Sequence, residues 1–198
     1  MAIMIPEKPR DFNPASQEGL IFDALALLPE DYYVFHSFRI TDTRDGTFRE
    51  SETDFVIFNR TKGVICLEAK AGQVRYENGC WLYGSGIPMH NGGPFNQASA
   101  NKYKLMRYLS DSKMAFVLEK CKFFHAVWFP SVSNDRLKNM TLPSEGDKTL
   151  VLTKEALSNP KEFVDKIYTL QLPSRIETKL SEIESKRLVR EIFCPQFN

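Results

Sequence analysis

The chain is poor in the residues that most often carry chemistry alone. Its three histidines, His36, His90 and His125, are dispersed, and its four cysteines, Cys66, Cys80, Cys121 and Cys194, include no CxxC pair. That spacing excludes a zinc finger and a disulfide framework, so the thiols read as reduced ones of a cytoplasmic protein. No apolar stretch approaches the roughly 18 residues of a membrane span, and the N-terminus lacks the apolar core of a signal peptide. Neither sign of charge dominates: 26 Lys and Arg stand against 25 Asp and Glu, a net of +1. A basic coat that would hold nucleic acid all over the surface is thereby excluded. The 10 glycines fall into no P-loop and no GxGxxG order, which leaves no nucleotide site. Repeats and low-complexity tracts are absent too.

What remains is material for one domain, because 198 residues at 42% hydrophobic content can bury a full core. The stretch around which it is organised is 53–70. Two apolar runs, TDFVIF and VICLEAK, flank the polar residues 59–63, which end in Gly63; this is a β-hairpin with a longer turn. Phe58 then faces Val64, and counting outward sets Asp54 opposite Glu68 on one face, with Cβ atoms about 5 Å apart. Lys70 joins that face by the strand's period of two. Phe55, Ile57, Ile65 and Leu67 make one face apolar, and Val56, Phe58, Val64 and Cys66 make most of the other apolar, so helices should cover both. Asp54, Glu68 and Lys70 thus sit at the end of a buried strand pair. Two adjacent carboxylates repel unless a proton or cation lies between them, and a divalent ion with oxygen ligands, Mg²⁺ or Mn²⁺, meets that demand. The plainer alternative is a Glu68–Lys70 or Asp54–Lys70 ion pair with no chemistry. Aligned acids between strongly apolar strands favour a site.

Around the hairpin, residues 1–14 carry Pro6, Pro9 and Pro14 and read as an extended arm. Ser16 can cap a helix over 16–28, with Leu20, Ile21, Ala24, Leu25 and Leu28 as its buried stripe and Glu18 in the first turn, where the helix dipole favours a carboxylate. Residues 32–38 form a strand in which His36 is a core or sheet-face residue. Residues 39–51 are polar, with a turn at Asp45-Gly46, and Glu52 shares Asp54's parity as the substitute acid for a different register. Residues 73–76 and 80–83 flank Asn78-Gly79, a strong hairpin signal. Arg75, Tyr76, Trp81 and Tyr83 on that ribbon read first as cross-strand packing and second as a wall for nucleic-acid bases. Residues 84–93 form a loop that would serve as a flexible lid. Pro94 opens a helix to 111, with Ala98, Leu105, Met106 and Leu109 buried and Gln97 in its first turn. A strand at 121–129, with His125 buried, is followed by an irregular excursion to 147, a short strand at 149–152 and helical residues 154–170 broken at Pro160. Residues 174–192 alternate Glu and Lys around Ile176, Leu180, Ile183, Leu188 and Val189, the pattern of an amphipathic helix. The order of elements gives an α/β sandwich with a mixed central β-sheet.

Asp54 followed by Glu68-Ala69-Lys70 resembles the PD-(D/E)xK nuclease superfamily. The ordered set of Glu18, Asp54, Glu68-Ala69-Lys70, Trp81 and Pro94-Phe95-Asn96-Gln97-Ala98 resembles more specifically the NERD, or nuclease-related, domain. The likeness is close over the first half of the chain and loose beyond it. It implies a restriction-endonuclease-like fold, with the nuclease-like domain over 15–172 and 173–198 as a C-terminal amphipathic helix that can lead to a following domain. It implies divalent-metal-dependent endonuclease activity on DNA, with Asp54, Glu68 and the Ala69 carbonyl holding Mg²⁺ or Mn²⁺. It implies further that Glu18 reaches the metal site, directly or through water, and that Gln97 points at the scissile phosphate or orients Lys70. Lys70 itself would position or deprotonate a water, or neutralise charge on the phosphate. Domains of this kind are often fused to a superfamily I helicase, which makes a linked helicase the expected partner and DNA repair or defence the expected setting. The sequence departs from the family pattern in two places: Gln17 precedes Glu18 where Gly is usual, and Asn101 stands where a Gln-x-x-x-Tyr pattern needs Tyr. Those departures leave room for a catalytically silent nucleic-acid-binding or docking module that keeps the nuclease fold, or for a plain interaction domain whose acids merely pair with Lys70.

Overall fold

Apolar side chains on both faces of one hairpin set the architecture. β3 (Arg49–Asn59) and β4 (Gly63–Ala69) pair antiparallel in the expected register, Phe58 opposite Val64 and Phe55 opposite Leu67. Gly63 starts β4 at φ +137°, and a Cβ there would stand 2.6 Å from the Lys122 carbonyl oxygen, so only glycine lets the turn sit this close to the neighbouring chain. The computed structural model describes residues 1–8 and 12–197, without the Arg44 side chain. Pro9 of the expected arm and the terminal Asn198 lie outside the described residues.

On one side of the hairpin, β2 (Tyr32–Asp42) pairs antiparallel with β3, and β1 (Ile3–Ile5) lies parallel to β2 at the edge. On the other, β7 (Phe123–Trp128) runs parallel to β4 and β8 (Val151–Leu152) parallel to β7. The sheet order is β1-β2-β3-β4-β7-β8, a mixed six-stranded sheet. A separate ribbon, β5 (Val74–Glu77) and β6 (Cys80–Tyr83), turns through Asn78-Gly79, both at positive φ as such a tight turn requires.

Helices cover both faces, as a sheet that is apolar on both sides demands. Phe55, Ile57, Ile65 and Leu67 pack on α1 (Glu18–Ala26) and α4 (Pro160–Tyr168). Val56, Phe58, Val64 and Cys66 pack on α2 (Pro94–Ser110) and on the C-terminal segment that includes α5 (Glu182–Leu188). Pro94 opens α2, and Ala98, Leu105 and Leu109 recur on its buried side at helical spacing. A third cluster, centred on Trp81, Phe95 and Phe129, joins the ribbon to the start of α2 and to the segment carrying the short α3 (Asn134–Lys138). Each large side chain fully withdrawn from water in these clusters contributes roughly 1.5–3 kcal/mol. The result is the restriction-endonuclease-like sandwich expected, a mixed central sheet between helical layers. Among the described residues no helix is long and apolar enough to cross a membrane.

The structure corrects several boundaries. Gln17, in a left-handed conformation, caps α1, and Ser16 belongs to a preceding 3₁₀ turn, so the helix begins at Glu18. Leu20, expected inside, is 52% exposed, and Phe22 is buried instead, packed beside Phe12 and His36. β2 and β3 run on through the polar stretch 39–51 as one long hairpin, its tip turned at residues 44–46. The arm contributes β1. Loop 84–93 is no free lid: Tyr83 and Met89 N–H groups bond to the Ile87 and Trp81 carbonyls and fold it back along β6. Residues 174–192 are not one helix either. The helical part is α5, followed by a π-helical turn (Val189–Phe193), while Leu180, Leu188, Ile192 and Phe193 are buried against the sheet. Charge alternation read along a single ideal helix missed this, because the wider π turn re-aims the last apolar side chains inward.

Candidate active site

The β3–β4 ladder stops at Phe55–Leu67, one step short of the acids. Asp54 and Glu68 are next in that register, and in place of a further backbone pair the Ala69 N–H donates to Asp54 Oδ2 at 2.8 Å. On the other edge of β3 the ladder passes from His36–Phe55 to Phe38–Thr53 and omits Ser37, which has φ +58° and stands opposite Asp54. The sheet is thus loosened on both sides of Asp54. A carboxylate withdrawn from water needs a donor, and here it takes one from the backbone of the next strand.

Glu68 is buried and accepts from Lys70 Nζ at 2.6 Å; the same Nζ lies 3.1 Å from Gln97 Oε1. Gln97 sits in the first turn of α2, its Nε2 donating to the His90 carbonyl at 2.8 Å, so the amide presents its oxygen to Lys70. Glu18, at the start of α1, is hydrogen-bonded to His36 Nε2 at 2.9 Å. The imidazole is wedged among Phe12, Phe22 and Phe55, with ring centroids 4.9–6.1 Å away.

The electrostatics follow from burial and crowding. Burial first, and the Glu68 charge second, push Asp54 above the usual carboxylate range; the Ala69 N–H opposes them and Glu18 adds to the rise. Burial also lifts Glu68; Lys70 pulls it back, and Glu18 and Glu52 push the other way. Burial works to lower Lys70, but the charge and hydrogen bond of Glu68, with Asp54 and Tyr83, outweigh it and hold the ammonium protonated. Glu68 and Glu18 thus press on Asp54, and Glu18 on Glu68, at a strand end where Lys70 and the Ala69 N–H oppose them.

Asp54, Glu68 and Lys70 meet as the hairpin register predicts, Gln97 reaches Lys70 as the family resemblance implies, and Glu18 enters their field from the opposite layer. Ala69 is held through its N–H, and its carbonyl lies past the last ladder pair. Glu52, the substitute acid, is taken up by Ser37 and by Arg39 at 3.1 Å on the outer hairpin. Trp81 is core, 4% exposed and set against Phe95 and Phe129, so it cannot stack bases. Its indole edge closes over Gly93, where a Cβ would come within 2.1 Å of the ring. Sequence reasoning missed two groups. His36 is the partner of Glu18, which only the packing of α1 on β2 could have revealed. Gln17 accepts from the Gly72 N–H and the Ser131 hydroxyl, both at 2.9 Å, and so ties the start of α1 to the chain just past Lys70. Gln17 thus has a use of its own at the position where the family pattern has glycine.

Among the described residues, no group of three or more His, Cys, Asp and Glu converges as a ready-made metal cage. The donors at hand are oxygens alone, from Asp54, Glu68 and the Ala69 carbonyl. That set suits a hard cation such as Mg²⁺, which keeps several waters and commonly uses one or two carboxylates.

A model of the nuclease-related domain, NERD, matches residues 14–130, a span that contains all of these groups. No curated protein and no solved structure matches the chain. With well over half of its length inside that match, the protein belongs to the nuclease-related domain family.

Proposed function

We propose that the protein is a divalent-metal-dependent endonuclease that hydrolyses phosphodiester bonds in DNA. The observation that carries this is the crowding of carboxyl groups at the end of β3 and β4: burial with the charges of Glu68 and Glu18 raises Asp54, burial with Glu18 raises Glu68, and Lys70 pulls both back. A bound Mg²⁺ or Mn²⁺ would relieve that repulsion, polarise a phosphoryl oxygen and lower the pKa of a coordinated water. Asp54, Glu68 and the Ala69 carbonyl are the groups that would hold it. Lys70, paired with Glu68, would place positive charge against the oxygens of the reacting phosphate or position the attacking water. Gln97 orients that ammonium, and Glu18 supplies a further oxygen at the rim of the site. A linked superfamily I helicase, a cytoplasmic location and a part in DNA repair belong to the same reading; they rest on the family resemblance, and the full gene tests the first of them.

One observation favours a second reading, a catalytically silent DNA-binding or docking module. Asp54 and Glu68 already have partners within the chain, the Ala69 N–H and Lys70. The experiment that separates the two incubates supercoiled plasmid and single-stranded DNA with the protein in Mg²⁺, Mn²⁺ or EDTA. Metal-dependent nicking that falls by about 100-fold or more in folded Asp54→Asn and Lys70→Ala supports the nuclease. Salt-dependent DNA binding that is indifferent to metal and to Asp54→Asn, without cleavage, supports the module.

A further inference from the structure

A second feature lies on the same face of the sheet, between α2 and the outer half of the β2–β3 hairpin. A cleft of about 270 Å³ opens there. Three cations line it, Arg49 from β3 and Lys104 and Arg107 from α2, all exposed and none in an ion pair or side-chain hydrogen bond among the described residues. Three acids line it as well: Glu50 stands 3.8 Å from Arg39, which it shares with Glu52, and Asp42 and Asp111 have partners of their own. The three cations therefore keep their donors available to a ligand in the cleft. Thr41, Thr43 and Ser51 add hydroxyls from the hairpin.

The position of the cleft is set by two elements that also build the acid cluster. Lys104 and Arg107 follow Gln97 by seven and ten residues along α2, about 10–15 Å at the helical rise of ~1.5 Å. Arg49 precedes Asp54 by five residues along β3, about 16 Å at ~3.3 Å per residue. Midway, Asn101 Nδ2 donates to the Glu52 carbonyl at 2.9 Å and clamps helix to strand. The two measures agree, so the cations stand at one fixed distance from the acids, a few nucleotides along a polynucleotide. Cations and hydroxyls that contact phosphate and sugar are what fixes the register of a nucleic acid on a protein.

Resting on the nuclease reading above, we propose that this cleft binds the sugar-phosphate backbone of a single nucleic-acid strand beside the bond to be cut. Its volume of about 270 Å³ suits the backbone of one strand rather than a whole duplex. The strand runs from the acid cluster over the Asn101–Glu52 clamp into the space between hairpin and α2.

The test measures binding and cleavage separately. A fluorescent oligothymidylate is titrated in EDTA onto Asp54→Asn protein, alone and combined with Arg49→Gln, Lys104→Gln and Arg107→Gln; Lys154→Gln, exposed on the opposite layer, is the control. Loss of the three cations should weaken binding at least tenfold and flatten the slope of log K against log salt by about 2, from ~0.7 per phosphate on single strands. In otherwise wild-type protein the triple variant should raise KM on long oligonucleotides and leave kcat unchanged, with little effect on ones too short to reach the cleft. Thermal melts confirm that the variants fold. Unchanged affinity and salt slope, in a protein that still cleaves, overturns the cleft and leaves the nuclease standing. Neither binding nor cleavage by the wild-type chain overturns both.

Discussion

His36 is the residue whose part at the site is clearest from its surroundings. Three phenylalanine rings enclose the imidazole and leave its Nε2 to Glu18. A carboxylate held by one fixed hydrogen bond keeps one orientation, whereas an exposed glutamate at a helix start samples several rotamers. His36→Phe fills the same aromatic pocket but removes the bond. It should lower the affinity for Mg²⁺ or Mn²⁺, measured by calorimetry, by about tenfold, in the range usual for groups that orient metal ligands. His36→Gln, which can still donate to Glu18, should recover part of it. Equal metal affinity in all three proteins would show that Glu18 has no part in holding the ion. The sequence placed His36 on the sheet but not beside Glu18, since the two are 18 residues apart and meet only through the packing of α1 on β2.

At the level of elements, the hairpin was legible and the C-terminal segment was not. Loop length and strict alternation fix a hairpin's register locally, which is why Asp54, Glu68 and Lys70 could be aligned by counting. The segment after residue 173 has no such constraint. Its Glu and Lys residues suggested a helix in solvent, yet Phe193 is fully buried, stacked 4.5 Å from Phe35 and close to Phe38 and Phe58. Phe193→Ala should therefore cost about 3–5 kcal/mol, a fall of roughly 10 °C in Tm for a chain of this size. A Tm within a degree of wild type would mean that the segment packs only weakly on the sheet.

The whole molecule stores unfavourable charge at one place, and its stability should record this. Asp54 and Glu68 have pKa values raised above those of an unfolded chain, so the folded state holds their protons more tightly. Their contribution is complete below about pH 4, the ordinary carboxylate value, and is lost as pH rises through the raised values. His125 pulls the other way. Burial, with Lys102 nearby, lowers it to about 4, so its contribution is lost as pH falls below its ordinary 6.5. Above pH 7 His125 adds no further change, and the buried Cys66 and Cys121 thiols, pushed up to about 12, join the acids only as pH nears their ordinary value of 9.0. In EDTA the Tm should decline from pH 7 to 8, and Mg²⁺ or Mn²⁺ should restore more of it at pH 8 than at pH 7, since the ligands must be deprotonated. Asp54→Asn should flatten both responses. A metal effect of equal size at both pH values, or one that persists in Asp54→Asn, would place the ion elsewhere.

By itself the sequence determined the mixed α/β sandwich, the central hairpin with its register, the meeting of Asp54, Glu68 and Lys70, and the helix that brings Gln97. All of these follow from short-range periodicity, loop length and the cost of exposing apolar faces, which act within a few residues along the chain. The tertiary structure alone decided that Glu18 bonds to His36, that Gln17 ties α1 to Gly72 and Ser131, that the C-terminal segment closes one face of the sheet, and that α2 and the long hairpin enclose a cleft lined by Arg49, Lys104 and Arg107. Each of these joins elements far apart in sequence. Which atoms then meet depends on how helices pack across the sheet, and no local pattern encodes that.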